Sequence, residues 1–404
     1  MADTPSFTQA TWAVVDLDAL AWNVRVLQRQ VGSECRLMPV VKADAYGHGA
    51  VAVARCLQKE GVDWLCVARS QEGIELRQAG LEPSILVLGP LAREALEICA
   101  SHNLIPTLFD TAGLEELENL GKKRRQKLEF HLKIDTGMGR LGLQLDSLSE
   151  WLGQLARCKH VRLTGLYSHL ASIESIRGDD ARRQVERFHE AAAQVEAARQ
   201  APKLKHMAAS SAILDLPEAW LQGVRSGLVL YGVYPSHRAS RLGLRSVMAV
   251  HTRVAVVREI PAGNPLGYEG TFVTQRHSRI AVLPIGYGDG LPHAYSNRGC
   301  VSLGGHRVPI VGQVSMDLTL VDVTDVPAVQ RGDEVIIFGE EGRGRALEEF
   351  AHDAGISPYE ILCRVGVRVP RVYRQSGNVI ASRQQAASGA ATTATPAAVP
   401  PARS

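Results

Sequence analysis

The stretch "RLMPVVKADAYGHGAVAVARCLQKEG", residues 36–61, decides how the chain is read. An apolar run at 37–41 ends in a lysine, passes through a polar, glycine-rich turn, and enters a segment with apolar residues three and four apart that stops at Gly61. That order predicts a strand, a loop and a helix. Lys is among the residues least often buried, so Lys42 marks the end of the strand. It either reaches out to water or is held in a pocket for chemistry.

The unit repeats. Apolar runs follow at 63–68 ("DWLCVA"), 84–89 ("SILVLG"), 104–109 ("LIPTLF"), 128–135 ("LEFHLKID"), 161–169, 203–210 and 223–232. Between them lie helix-like segments such as "SQEGIELRQAG", "AGLEELENLGKK" and "ARRQVERFHEAAAQVEAARQ". Parallel neighbours need crossover helices, so eight such strands predict an α/β chain whose residues 1–240 form a TIM-like (β/α)8 barrel. An open doubly wound sheet is the alternative, and the count of eight favours closure. From about residue 240 short β-branched runs, among them "VMAVHTRVAVVREI", "LTLVDVT" and "DEVIIFG", alternate with turn residues. They predict a mostly β second domain over 241–376. Residues 377–404 are rich in Ala, Thr and Pro and read as a disordered tail, because they bury too little apolar surface to offset ordering entropy.

Composition excludes several classes. Of 404 residues, 45% are hydrophobic and the formal net charge is +3, too small to imply nucleic acid or an anionic membrane surface. No run approaches the about 18 apolar residues of a membrane span. The opening lacks the basic and apolar regions of a secretory signal, so a cytoplasmic protein is expected. The seven cysteines are scattered, odd in number and without a CxxC, which speaks against a disulfide framework or a metal site. They read as small buried apolar residues in a reducing compartment.

Barrel chemistry sits at the C-terminal ends of the strands. Lys42, "KIDTGMGRLG" (133–142), "YSHL" (167–170), "ASSA" (209–212) and Arg225 with Gly227 all fall at such ends. The seventh and eighth loops commonly bind phosphate, and Ser210, Ser211, Ser226 and Gly227 offer donors there. Ser210 and Ser211 are equally suited to capping the helix that follows. A phosphate site facing a lysine across a barrel mouth suggests pyridoxal 5'-phosphate, with the lysine as Schiff-base partner.

"VVKADAYGHG", "KIDTGMGRLG", "GLYSH", "VRSGLVLYG", "LGYEGTF", "PIGYGDG", "PIVGQVSMD" and "RVPRVY" resemble, in order and approximate spacing, the motifs of the alanine racemase family. The resemblance covers nearly the whole chain outside the tail. It implies a pyridoxal-phosphate-dependent homodimer that interconverts L- and D-alanine, supplies D-alanine for peptidoglycan, and completes each active site with the partner's β domain. By the resemblance, Lys42 is the cofactor lysine and one proton carrier, and Tyr268 from the second subunit is the other. Tyr46, Ser211 and Gly227 match phosphate-site positions, with Tyr287 nearby. Arg225 faces the pyridine nitrogen and His169 lies between it and the tyrosine. Arg140 and the backbone of Met316 match the substrate-carboxylate region. Lys133 matches a lysine that is carbamylated in some relatives.

The residues keep other readings open. Tyr268 in a glycine-rich turn also suits a packing aromatic, His169 a structural histidine, and Lys133 or Arg140 an ion pair with Asp135. Four departures stand out: Asp44 where Asn is usual, Glu269 where Gly is usual, Val367 where relatives carry a hydroxyl, and Ser315 where some have Cys. They bear on alanine against serine as substrate. A barrel-type amino-acid decarboxylase and a non-catalytic pyridoxal-phosphate carrier are the rivals. The decarboxylases place a carboxylate at the pyridine nitrogen, which Arg225 opposes, and the carriers lack the β domain.

Overall fold

Strands of a closed parallel sheet are covered on both faces, so they read as unbroken apolar runs. Leu65, Cys66 and Val67 are fully buried, as are Ile85, Leu86 and Val87. In the computed structural model, which describes residues 10–171, 180–235, 242–339 and 342–383, these runs are neighbouring barrel strands. Around the barrel the order is Arg36–Leu37, Gly223–Val224, Leu204–His206, Val161–Tyr167, Leu128–Asp135, Leu104–Leu108, Ser84–Val87 and Trp64–Val67. All these neighbours pair in parallel. The ring closes where Val41 N–H donates to Cys66 O and Cys66 N–H to Pro39 O, both at 2.8 Å. The fold is therefore the expected eight-stranded barrel rather than an open sheet.

The connecting helices begin and end as their sequences dictate. Asp16 caps Leu17–Val31 by accepting from Ala19 N–H at 2.8 Å, and Asp110 caps Thr111–Arg124 by accepting from Gly113 N–H at 2.7 Å. Each cap contributes about 1 kcal/mol. Helix Ala50–Lys59 buries Ala50, Val53, Ala54 and Leu57, the face set by its three- and four-residue spacing.

The second region is mostly β, as expected. A seven-stranded sheet runs His306–Pro309, Cys300–Leu303, Glu334–Phe338, Met248–Arg253, Trp12–Asp16, Arg371–Gln375 and Asn378–Arg383. Val256–Ile260, Ser278–Leu283 and Thr319–Asp322 form a second sheet.

Three expectations are corrected. Trp12–Asp16, expected within the barrel domain, pairs with Met248–Arg253 and Arg371–Gln375 instead. Asn378–Arg383, expected in the disordered tail, is a strand antiparallel to Arg371–Gln375. A two-residue turn joins them, with φ of 53° at Ser376 and 74° at Gly377, the positive values a tight hairpin needs. Residues 384–404 lie outside the described residues. Finally, Cys158 and Cys300 are only partly buried and Cys363 is exposed, whereas the other four cysteines are buried. Among the described residues no helix is long and apolar enough to cross a membrane, and no side-chain cluster suits a metal ion.

Candidate active site

Beyond the first barrel strand, Ala43, Asp44, Ala45 and Tyr46 all adopt left-handed backbone, with φ between 51° and 54°. This region costs an L-residue roughly 1–2 kcal/mol, so four in succession require outside support. Glu72 accepts from Ala43 N–H at 2.7 Å, and Asp44 accepts from Ala50 N–H at 2.8 Å. His48 Nδ1 lies 2.8 Å from Ala45 O, and Arg371 Nε donates to Gly47 O at 2.9 Å. The turn aims Lys42 and Tyr46 into a cavity of about 470 Å3 at the barrel mouth.

That cavity brings together Lys42, Tyr46, Lys133, Arg140, His169, Arg225 and Gly227 from the sequence-predicted set. Ser210 rather than Ser211 lines it, Ser211 being half-buried at the start of helix Ser210–Asp215. Tyr167 and Tyr359 also line it. Tyr167 lay within the quoted "GLYSH" motif, but Tyr359 comes from a helix of the second region and no local signal marked it.

Arg225 anchors the floor. It is buried, and its guanidinium donates to Ser168 O (2.7 Å), Met207 O (2.9 Å), His206 O (3.2 Å), His206 Nδ1 (2.6 Å) and His169 Nδ1 (3.2 Å). A guanidinium only donates, so both imidazoles accept at Nδ1 and carry their proton on Nε2. Burial, then the charges of Arg225 and Arg140, pushes His169 down to about 3, so it is a neutral donor. Burial and Arg225 likewise hold His206 well below the usual histidine range, leaving its Nε2–H to donate to His131 Nδ1 at 3.1 Å.

Lys133 sits nearby with its pKa lowered to about 8 by burial, Arg140 and Arg225. Asp135 does not pair with it. That carboxylate accepts from the backbone N–H groups of Gly137, Met138 and Gly139 at 2.9–3.2 Å and shapes its own loop. Among the described residues neither Lys133 nor Arg140 has a carboxylate within ion-pair distance. The ion-pair readings of both are thus corrected.

At one end of the cavity, hydroxyls surround a glycine. A Cβ at Gly227 would lie 3.1 Å from Tyr46 Oη and 3.5 Å from Ser210 Oγ, and Ser226 Oγ is buried without a partner among the described residues. Tyr359 hydrogen-bonds Ser210 there. Among the described residues, four cations and no carboxylate line the cavity. Such an arrangement suits an anionic ligand with a phosphate at the hydroxyl end.

Tyr268, Tyr287 and Met316 are not brought to this cavity. They are 69%, 45% and 52% exposed on the second region. They share one face: Tyr287 N–H donates to Ser315 O at 3.0 Å, Gly288 N–H to Met316 O at 2.9 Å, and Gln313 Nε2 to Glu269 at 3.2 Å. Glu269 occupies φ 56°, where the glycine usual in the family would be unstrained. Ser315 Oγ donates to Leu318 O at 2.6 Å, and Val367 is 65% exposed.

Comparison with known proteins agrees with this architecture. Residues 15–235 match the family model "Alanine racemase, N-terminal domain", and residues 247–373 match "Alanine racemase, C-terminal domain". "Alanine racemase 2" of Caldanaerobacter subterraneus subsp. tengcongensis is 41% identical over 372 residues, covering 90% of this chain and 95% of that protein. The alanine racemase structure of Clostridium difficile 630 superposes with a TM-score of 0.88 at 33% identity, over 94% of this chain and 99% of that one. That of Bartonella henselae, solved with covalently bound pyridoxal phosphate, gives 0.83 at 33% identity over 90% and 99%. With both halves of the fold and nearly all of its length matched, the chain belongs to the alanine racemase family.

Proposed function

We propose that the protein interconverts L- and D-alanine with pyridoxal phosphate as cofactor, acting as a cytoplasmic homodimer that supplies D-alanine for peptidoglycan. The observation that carries this is the convergence of Lys42, Arg140, His169, Arg225 and Gly227 on one cation-lined cavity. The cavity fits the cofactor by its own chemistry. The Tyr46 and Ser210 hydroxyls beside Gly227, where a Cβ would be crowded, form a cradle for phosphate, opposite an amine able to hold a carbonyl carbon. Lys42 would hold the cofactor's aldehyde carbon, while Tyr46, Gly227, Tyr359 and the serine pair 210–211 would hold its phosphate. When bound, pyridoxal phosphate supplies a conjugated ring that takes up the electron pair left at the substrate Cα.

Racemisation then needs a proton carrier on each face of that carbon. Lys42 Nζ serves one face. The phenol of Tyr268, contributed by the second subunit, serves the other. An isolated tyrosine ionises at neutral pH only at a cost of about 4 kcal/mol. His169 offsets part of it by donating its Nε2 proton to the phenolate rather than by carrying charge. Arg225, fixed by five hydrogen bonds, would disfavour protonation of the cofactor's pyridine nitrogen, which would limit the electron sink and with it side reactions. Arg140 and the Met316 backbone orient the substrate carboxylate. Lys133, neutral in part because its pKa is lowered to about 8, adds carbon dioxide to give a carbamate and a released proton, and the new carboxylate fixes Arg140.

The dimer is supported by the exposed face of Tyr268, Tyr287, Met316 and Leu318, because clustered exposed apolar side chains mark an interaction surface.

The test is to incubate the holoenzyme with L-alanine, and separately L-serine, in deuterated water. Optical rotation should fall to zero as deuterium enters Cα, with the faster substrate deciding breadth. Carbon dioxide release would instead identify a decarboxylase, and an inert yellow protein a carrier.

A further inference from the structure

The left-handed turn carrying Lys42 and Tyr46 is touched at three points by the hairpin Arg371–Gln375 and Asn378–Arg383. Arg371 donates to Gly47 O at 2.9 Å, and its two terminal nitrogens donate to the carbonyls of Val365, Gly366 and Val369 at 2.6 Å. The Tyr373 hydroxyl presses on Gly49, where a Cβ would lie only 1.9 Å from it and where φ is 97°. Arg383 Nη1 donates to both oxygens of Asp44, at 2.8 and 3.0 Å. Asp44 Oδ1 also accepts the N–H of Ala50, the first residue of helix Ala50–Lys59. One carboxylate thus ties the turn, the next helix and the last described strand together.

The pair is half-exposed at both partners, so its Coulombic attraction alone adds little to overall stability. Its placement is what matters. Asp44 lies two residues from Lys42 and two from Tyr46, in the middle of four strained residues that only outside contacts hold. An asparagine there could still accept from Ala50 N–H, but it could not bind a guanidinium with comparable strength. The aspartate at 44 and the arginine at 383 therefore make sense as a unit.

We infer that Asp44 and Arg383 are a positioning pair for the reaction: through it, the strand Asn378–Arg383 holds Lys42 and Tyr46 in register with the cavity. This inference rests on the racemase reading above. Neither residue touches the reacting atoms, so both act through the turn. Loss of the pair relaxes the turn, and displacement of a reacting group by a fraction of an ångström is enough to cost rate.

The test is a double-mutant cycle on the full-length holoenzyme with D44N, R383Q and D44N/R383Q, and with R383K as the conservative variant. Racemisation kcat and KM, pyridoxal phosphate affinity, the visible band of the bound cofactor and the melting temperature are read for each. R383Q should lower kcat about tenfold, with KM for alanine little changed and the cofactor band altered. R383K should keep most of the activity, and the double variant should be no worse than the poorer single one. A merely structural role would shift the melting temperature alone. Wild-type kcat and cofactor band in R383Q, or effects of the two substitutions that multiply, would overturn the pair while leaving the racemase reading intact. A wild-type protein with neither racemisation nor a cofactor band would overturn that reading and the pair with it.

Discussion

Subunit complementation tests where the second base comes from. Tyr268 is exposed on the second region and absent from the lining of the cavity that holds Lys42. If each site takes Lys42 from one chain and Tyr268 from the other, K42A and Y268F homodimers both have only defective sites. Removing a positioned acid–base group costs roughly 10²–10⁴-fold, so both parents should be nearly inactive. In a hybrid of the two, the symmetry of a two-fold dimer concentrates both lesions in one site and leaves the other wholly wild type. Differently tagged chains, co-expressed and purified through both tags, should then show about half of the wild-type turnover, since one site in two is intact. The assay is D-alanine formation per dimer. Were Tyr268 to serve its own chain's cavity, each chain of the hybrid would carry one lesion in its own site and no activity would return. A hybrid as inactive as its parents would refute the shared-site reasoning.

Three further outcomes follow from the same geometry. With a pKa of about 8, Lys133 is roughly one-quarter neutral at pH 7.5, against about 0.1% for an ordinary lysine. Protein in 13C-labelled bicarbonate should therefore give a carbamate NMR signal that vanishes in K133A, and a wild type without one would rule the carbamate out. G227A should crowd Tyr46 and Ser210 and weaken pyridoxal phosphate binding by about 1–3 kcal/mol, and because φ −100° with ψ −105° lies outside the regions open to an L-residue the melting temperature should fall as well; unchanged affinity in a fluorescence titration would move the phosphate elsewhere. Glu334, 2.9 Å from His251 Nδ1 and near Arg343, has its pKa lowered to about 2, so it stabilises the fold above its unfolded-state value near ~4.3 and that contribution is lost as pH falls towards 2. The melting-temperature gap between wild type and E334Q should close over that window, and a constant gap would contradict the assignment.

The barrel was legible because its signals are local. Each strand is a continuous apolar run and each helix has its own period and stop residue, so the order of elements follows from reading along the chain. Trp12–Asp16 was misplaced for the opposite reason. Its apolar run looks like any barrel strand, and only pairing with residues more than 200 positions away assigns it to the other sheet. Asn378–Arg383 was missed because its side chains are mostly exposed: backbone pairing and Arg383 hold it, and composition registers neither. At the site, Lys42, Arg140, His169 and Arg225 announce themselves as polar groups ending apolar strands. The left-handed turn after Lys42 carries no such mark. "ADAY" contains no glycine, and its conformation is imposed by Glu72, His48, Arg371 and Arg383 from four other places in the chain.

Charge explains why this cavity selects its ligands. Lys42, Lys133, Arg140 and Arg225 line it, and no carboxylate among the described residues does. Uncompensated cations that close together repel, and the protein relieves this in three ways. Lys133 gives up part of its proton, and His169 remains neutral. Arg225 disperses its charge over three carbonyls and two imidazoles. What remains is positive potential suited, on the proposed assignment, to a phosphate at the hydroxyl end and a carboxylate near Arg140. A decarboxylase would have to expel that carboxylate as a neutral gas and place an acid near the ring nitrogen to steady the product carbanion. On the proposed assignment Arg140 holds the carboxylate, and Arg225 stands where that acid would be needed. Electrostatics thus favours a substrate that keeps its carboxylate and changes only the face on which Cα carries its proton.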